Sequence, residues 1–396
     1  MKRGPMTEKR TIMEQPVISD RHNELQKAQP VPYRHGGDVW GAIEVAGVSV
    51  TEILDLSANI NYLGLSHQVK KAIEESIDQV VHYPDPQCRR LIDALADHFA
   101  VSPDSICAGN GAVDLLDHWL HAVKARRVLI PEPAFGQYER AVAAQGGEAV
   151  RLQLEEKGHF RLDVEAWRQA LQKENCDAAI LCTPHNPAGW VWTAEERQAV
   201  LTHLTSAPVR LLVDESFLDF LPDGRLLSCC AEAAKSDQVA VLYSLTKFFA
   251  IPGLRLGALI AHREIINAIV RRRDPWVVNH LAQVAGIAAL ADRDYHRKTW
   301  EGLPQERDYL FQRLRDLPGL SPLPSAANFL LLRIEESGLS STEWTKRLRR
   351  RGILVRNCNT FLSLGERYLR LAVRDRAATN RLIDAMRAVL AEEGML

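Results

Sequence analysis

Ser244-Leu245-Thr246-Lys247, followed eight residues later by Arg255 in Gly253-Leu254-Arg255-Leu256-Gly257, puts an amine, two hydroxyls and a guanidinium in one short stretch. A lysine amine can attack an aldehyde, and hydroxyls with a planar guanidinium suit a phosphate dianion. Pyridoxal phosphate carries both groups on one molecule. Ser-x-x-Lys alone is a weak signal, since β-lactamase-type enzymes use the same spacing. Residues upstream strengthen it. Asp214 offers a carboxylate that can pair with a pyridine nitrogen and keep it protonated, and Asn186 can donate to the ring's 3-oxygen. Gly111 and Ala112, in Gly109-Asn110-Gly111-Ala112-Val113, are expected to open a helix whose free N–H groups meet the phosphate. Phe135, in Pro133-Ala134-Phe135, can stack on the ring face. Singly, each has an ordinary reading: a solvated lysine, a capping aspartate, a loop asparagine, a glycine turn, a core phenylalanine. Their order and their places at strand ends argue for one site.

The elements that must carry them are short apolar runs. Ala178–Cys182 reads as a buried strand and leads into Thr183-Pro184-His185-Asn186-Pro187. Residues 209–213 form another and lead into Asp214-Glu215; residues 239–242 deliver Ser244 to Lys247; residues 127–130 precede Phe135. Runs this short do not make buried helices, and helical patterns such as 193–204 separate them. In a mostly parallel sheet, ligands bind outside the carboxyl ends of the strands, so Asn186, Asp214 and Lys247 should converge on one crevice. Further on, Arg356 follows the apolar run 352–355 and Arg370 ends Tyr368-Leu369-Arg370. A turn at Leu364-Gly365 would return both to one pocket, where planar bidentate donors suit a phosphate and a carboxylate. Pro304 is expected at the first position of a helix to about 316, residues 317–325 as loop, 328–333 and 368–373 as strands, and a last helix from about Arg376.

Other motifs complete the pattern: His35-Gly36-Gly37, Asp55-Leu56-Ser57-Ala58-Asn59-Ile60-Asn61, His82-Tyr83-Pro84-Asp85 and Trp276-Val277-Val278-Asn279. With the 244–257 stretch they make the chain, from about residue 33 onward, resemble the fold-type I, aspartate-aminotransferase-like enzymes that use pyridoxal phosphate. Within these it is similar to histidinol-phosphate aminotransferases and, more so, to the threonine-phosphate decarboxylases of cobalamin biosynthesis. The resemblance implies an α/β, PLP-dependent transferase-like fold type I, with a large domain on a mostly parallel sheet plus a smaller α/β domain. It implies Lys247 as the covalent anchor of the cofactor, Asp214 as partner of its ring nitrogen, and Ser244, Thr246 and Arg255 on its phosphate. Tyr83 would reach the cofactor phosphate of a neighbouring subunit, making the enzyme a homodimer. His35, Gly36, Asn59, Asn186, Arg356 and Arg370 would bind O-phospho-threonine, which is decarboxylated to 1-aminopropan-2-ol O-2-phosphate. The arginine pair suits the aminotransferase equally. Phe217, where the aminotransferase pattern has tyrosine, and the His35-Gly36-Gly37 segment as a substrate lid favour the decarboxylase. Tyr62, His185, Ala188 and Ser216 depart from the family pattern, His185 beside the cofactor site.

Composition bounds the rest. The 396 residues, 46% hydrophobic, can bury a sizeable core in two domains. The division expected is residues 62–285 as the large cofactor-binding domain, 31–61 with 286–396 as the small one carrying the lid, and 1–30 as a disordered extension. A net charge of −1 gives no electrostatic case for nucleic acid or membrane partners. Arg271-Arg272-Arg273 and Arg349-Arg350-Arg351 read as solvated helix faces. No apolar run approaches the roughly 20 residues that span a bilayer, and the polar N-terminus lacks a secretory h-region. Seven cysteines without C-x-x-C spacing suit a reducing cytoplasm, and no metal site is expected.

Overall fold

Alternate residues of the apolar runs pack on opposite faces of a central sheet in the computed structural model, which describes residues 36–47 and 49–395. A short strand β1 (Leu54–Asp55) comes first. The sheet strands follow as β2 (Ile106–Gly109), β3 (Arg127–Glu132), β4 (Glu148–Gln153), β5 (Ala178–Cys182), β6 (Arg210–Asp214), β7 (Val239–Ser244) and β8 (Gly257–Ala261). Their order is β2-β8-β7-β6-β5-β3-β4, parallel except for β8, which runs antiparallel to both neighbours. Leu129, Ala179, Leu181, Leu211, Val213 and Val241 join one core cluster, and Val128, Ile130, Ala178, Ile180, Leu212 and Ala240 the other. That two-residue alternation, apolar on both faces, explains the unbroken hydrophobic runs. Each valine, leucine or isoleucine among them contributes about 1.5–3 kcal/mol when fully buried.

Register aligns the carboxyl ends. Cys182 pairs with Asp214, and Asp214 with Leu242, so the loops bearing Asn186 and Lys247 leave the sheet at one level. Asp214 is itself the last residue of β6, one place earlier in the element than the sequence suggested.

The C-terminal part adds a second sheet in the order β12-β13-β10-β9, all antiparallel, from β9 (Ser321–Pro322), β10 (Phe329–Arg333), β12 (Arg356–Asn357) and β13 (Tyr368–Ala372). A two-stranded parallel pair joins β1 to β11 (Ile353–Leu354). The run expected as one strand over 352–355 is therefore split: Ile353 and Leu354 pair with β1, and the chain crosses at Val355 into the antiparallel sheet.

Two further expectations change. Helix Arg293–Arg315 runs through Pro304 instead of starting there. Asp292 caps it by accepting from the Tyr295 amide, and fully buried Leu303, Leu310 and Leu314 hold it to the core. Their burial outweighs the ~3 kcal/mol that an interior proline costs. The basic runs are only partly solvated. Arg273 folds back to donate to Ala108 O and Cys107 Sγ, Arg349 pairs with Asp38 at 2.7 Å, and Arg351 pairs with Glu392. Among the described residues, no helix is long and apolar enough to cross a membrane.

Candidate active site

Where β2 ends, its antiparallel partner β8 begins, and the backbones meet without room for side chains. A Cβ on Gly257 would lie 2.5 Å from the Ala112 amide nitrogen, and one on Gly111, at φ +85°, 2.5 Å from Arg255 Nη2. Helix Ala112–Ala122 thus opens with its free amides beside the Arg255 guanidinium. Ser244 Oγ and Thr246 Oγ1 lie 2.7 Å apart, both buried, at the carboxyl end of β7. Helix-terminal amides, two hydroxyls and a guanidinium form an anion cradle of the kind a phosphate ester needs. The side chains present therefore fit pyridoxal phosphate.

The amine stands next to that cradle. Lys247 lies in the short helix Leu245–Phe248, and its Nζ donates to Thr246 Oγ1 at 3.1 Å. Burial, then the charges of Arg255 and Arg370, lower the amine to about 8, with Asp214 opposing. A substantial neutral fraction near neutrality makes it a usable nucleophile. Asp214 is 6% exposed; its Oδ1 accepts from the Ser216 amide at 3.0 Å and its Oδ2 from the Tyr138 hydroxyl at 2.5 Å. Phe135 meets Tyr138 edge-on with ring centroids 5.6 Å apart. His185 stacks on Trp190 at 4.8 Å, and burial lowers its imidazole to about 3. It is neutral at working pH, so this departure from the family pattern adds no charge to the site. Tyr62, another departure, places its hydroxyl against Gly302 and 3.4 Å from Lys298 O.

The arginine pair lies on the second sheet, and the Arg370 charge reaches the Lys247 amine. Arg356 and Arg370 are direct cross-strand partners on β12 and β13, both buried. Arg370 donates to Asn186 Oδ1 and to Ser57 O at 3.0 Å, with its guanidinium 5.4 Å over the Phe329 ring. Burial, and then Arg356, lower it from 12.5 to about 10. Arg356 donates to Thr360 Oγ1 at 2.6 Å.

The segment from Asp55 to Asn61 has almost no regular structure, yet its carbonyls are taken up one after another. Arg374 donates to those of Asp55, Ala58 and Ile60, the Ala372 amide to Leu56, Arg370 to Ser57 and Asn328 Nδ2 to Asn59. Asn61 then donates its amide to Lys247 O at 3.0 Å and its side chain to Phe248 O at 2.9 Å. Asn59 Oδ1 and Arg370 Nε are buried and have no hydrogen-bond partner among the described residues, which leaves them for a ligand. Gly36 sits so close that a Cβ would lie 2.1 Å from Ser57 O, and the Gly37 amide donates to Ser57 Oγ at 2.7 Å.

Lys247, Ser244, Thr246, Arg255, Gly111, Ala112, Asp214, Asn186, Arg370, Arg356 and Asn59 thus line connected parts of one site, with Phe135 and Gly36 at its borders. Tyr83 is not among them: it is 81% exposed and lies against Trp276 with ring centroids 4.8 Å apart and the planes tilted by 34°. His35 lies outside the described residues. Sequence reading passed over Tyr138, Arg374 and Asn328. Tyr138 stood one helical turn beyond Phe135, a signal that could have been used; the other two gave none.

A family model described as aminotransferase class I and II matches residues 51–386. The threonine-phosphate decarboxylase of Salmonella typhimurium is 38% identical over 357 residues, covering 90% of this chain and 96% of that protein. The adenosylcobalamin biosynthesis bifunctional protein CobDQ of Leptospira interrogans is 29% identical over 89% of this chain but only 40% of its own length. The crystal structure of the histidinol-phosphate aminotransferase from Clostridium acetobutylicum superposes with a TM-score of 0.78 at 27% identity, covering 86% of this chain and all of that one. Sheet order, strand-end lysine and family match agree: this chain belongs to the class I and II aminotransferase family.

Proposed function

We propose that this chain is a pyridoxal-phosphate-dependent carboxy-lyase, a threonine-phosphate decarboxylase that converts L-threonine O-3-phosphate to 1-aminopropan-2-ol O-2-phosphate in cobalamin biosynthesis. The observation that carries the phosphorylated amino substrate is the buried Arg356–Arg370 pair, in register on neighbouring strands and joined through Asn186 to the lysine side of the crevice; the choice of decarboxylation rests on Phe217 and on the relatives. Two adjacent guanidiniums suit a small substrate bearing a phosphate and a carboxylate. The 38% identity to a threonine-phosphate decarboxylase supports the substrate.

When bound, pyridoxal phosphate supplies an electron sink for the pair released as the Cα–carboxylate bond breaks. The chain's own residues do the rest. Ser244, Thr246, Arg255 and the Gly111–Ala112 amides hold the cofactor phosphate, Lys247 is its covalent anchor, and Asp214 sets negative charge at its ring nitrogen. Arg356, Arg370 and Asn59 hold the two ends of the substrate, so that the bond to be broken is chosen by orientation. Lys247, with an amine near 8, can return the proton to Cα. Phe217, 4% exposed and edge-on to Phe329 at 5.1 Å, brings no hydroxyl to the cofactor's 3-oxygen, which suits a decarboxylase over an aminotransferase.

The proposal extends to a homodimer. Val80, Val81, Tyr83 and Trp276 are exposed together, an apolar face that a second copy would cover while carrying Tyr83 to the neighbouring site. It also includes the division into a cofactor-binding part, about 62–285, and a smaller part from 31–61 and 286–396. The test is CO₂ release from O-phospho-threonine, beside Lys247→Ala. Glutamate formation from 2-oxoglutarate without CO₂ would establish the aminotransferase instead.

A further inference from the structure

Asp214 is the carboxylate on which the cofactor's ring nitrogen depends in the reading above, and its own support comes from few groups. One oxygen takes the Ser216 amide at 3.0 Å, a contact made within its own turn. The other takes the Tyr138 hydroxyl at 2.5 Å, from a residue 76 positions away. Tyr138 sits in the first turn of helix Gln137–Ala144 and is 2% exposed. The same ring meets Phe135 edge-on at 5.6 Å, and Phe135 is the aromatic expected over the cofactor face. One side chain thus touches both groups that would flank the pyridine ring. Burial, then the neighbouring Asp214 charge, push its phenol well above the ordinary value, so it keeps its proton and can only donate to the carboxylate.

We propose that Tyr138 is a positioning residue for the cofactor, fixing the Asp214 carboxylate while seating Phe135 against the ring. A hydrogen bond to a buried charged oxygen is stronger than one between neutral groups, and losing it leaves the carboxylate under-solvated. Pairing with the ring nitrogen weakens accordingly. The effect passes through Asp214, because the hydroxyl is already committed to Oδ2.

This inference rests on the pyridoxal phosphate reading, and the experiment keeps the two apart. Wild-type apo-protein is titrated with pyridoxal phosphate, following the bound cofactor's absorption, alongside Tyr138→Phe, Asp214→Asn and the double variant. Tyr138→Phe keeps the ring and removes only the hydroxyl. Its dissociation constant should rise about tenfold, with a shifted absorption maximum. In the Asp214→Asn background the same change should have little further effect, because the charged acceptor is gone. If wild type fails to bind pyridoxal phosphate, the functional reading itself falls. If wild type binds and Tyr138→Phe matches it in constant and spectrum, the positioning role is wrong. Equal, additive losses in both backgrounds, or a lower melting temperature without change in cofactor binding, would make Tyr138 merely structural and also overturn the proposal.

Discussion

Replacing Arg370 by methionine tests whether the arginine pair is held for a ligand or for the fold. The guanidinium is 7% exposed, faces Arg356 across the strands, and among the described residues no carboxylate lies within ion-pair distance of it. Its fall from 12.5 to about 10 corresponds to a cost of ~3 kcal/mol for keeping it charged in the folded chain. Because the folded-state value is the lower one, that cost is fully present at any pH below about 10 and fades only between there and 12.5. Against it stand two hydrogen bonds, to Asn186 Oδ1 and Ser57 O, each contributing ~1 kcal/mol net, with a similar penalty for the acceptors left behind. Methionine keeps most of the volume over Phe329. The apo-protein should therefore change in stability by no more than ~1 kcal/mol in either direction, while kcat/KM for O-phospho-threonine falls roughly 100- to 1,000-fold as a buried anion contact is lost. Urea denaturation by tryptophan fluorescence gives the first quantity and CO₂ release the second. A variant destabilised by more than ~3 kcal/mol, or one that keeps kcat/KM within about threefold, would refute the argument that the charge is stored for substrate.

With the Lys247 amine at about 8, capture of free pyridoxal phosphate by apo-protein should quicken about tenfold per pH unit below that point and level off above it. Stopped-flow absorbance measures this, and a rise continuing toward 10.5 would mean that the amine is not buried. Gly257→Ala would drive a Cβ to 2.5 Å from the Ala112 nitrogen, displacing the helix start; pyridoxal phosphate affinity should drop at least tenfold by fluorescence titration. Trp276→Asp places a charge within the apolar face beside Tyr83, and sedimentation should show a shift from dimer to monomer with loss of activity. An unchanged sedimentation profile would remove that face as the subunit contact.

The lysine stretch was legible because its signals are local: a short apolar run, hydroxyls at fixed offsets and an arginine within one loop. Strand β5 matched its expected bounds and the neighbours shifted by one or two residues, since alternation on a doubly buried sheet leaves few other readings. The Arg356–Arg370 return was legible too, as an apolar run, a turn and another run. What failed was the reading of Pro304, where burial of Leu303 beside it and of Leu310 and Leu314 further along outweighed local backbone preference. Arg374 and Asn328 were not legible because their partners lie more than 250 residues off, and no local pattern encodes such a contact; Tyr138 was betrayed only by its spacing from Phe135, its partner Asp214 lying 76 residues away.

That long-range wiring bears on how one cofactor serves different reactions in related enzymes. Choosing the Cα–carboxylate bond requires the amine and the substrate anchors to keep a fixed separation. Here the separation is set by a strap, Asp55 to Asn61, together with the Arg370–Asn186 hydrogen bond. Asn61 ties it to the carbonyls of Lys247 and Phe248, and Arg374 and Arg370 tie it to the strand bearing the arginine pair. Six successive carbonyls held by partners leave the strap little freedom to adjust its length. On the proposed roles, substitutions at residues 55–60 of the strap should alter which bond is aligned while leaving the hold on the cofactor phosphate intact, because the cradle of Gly111, Ser244, Thr246 and Arg255 shares none of their bonds. Reaction choice in this chain is then a property of backbone distance, which is why residue types alone identified the cofactor more readily than the outcome.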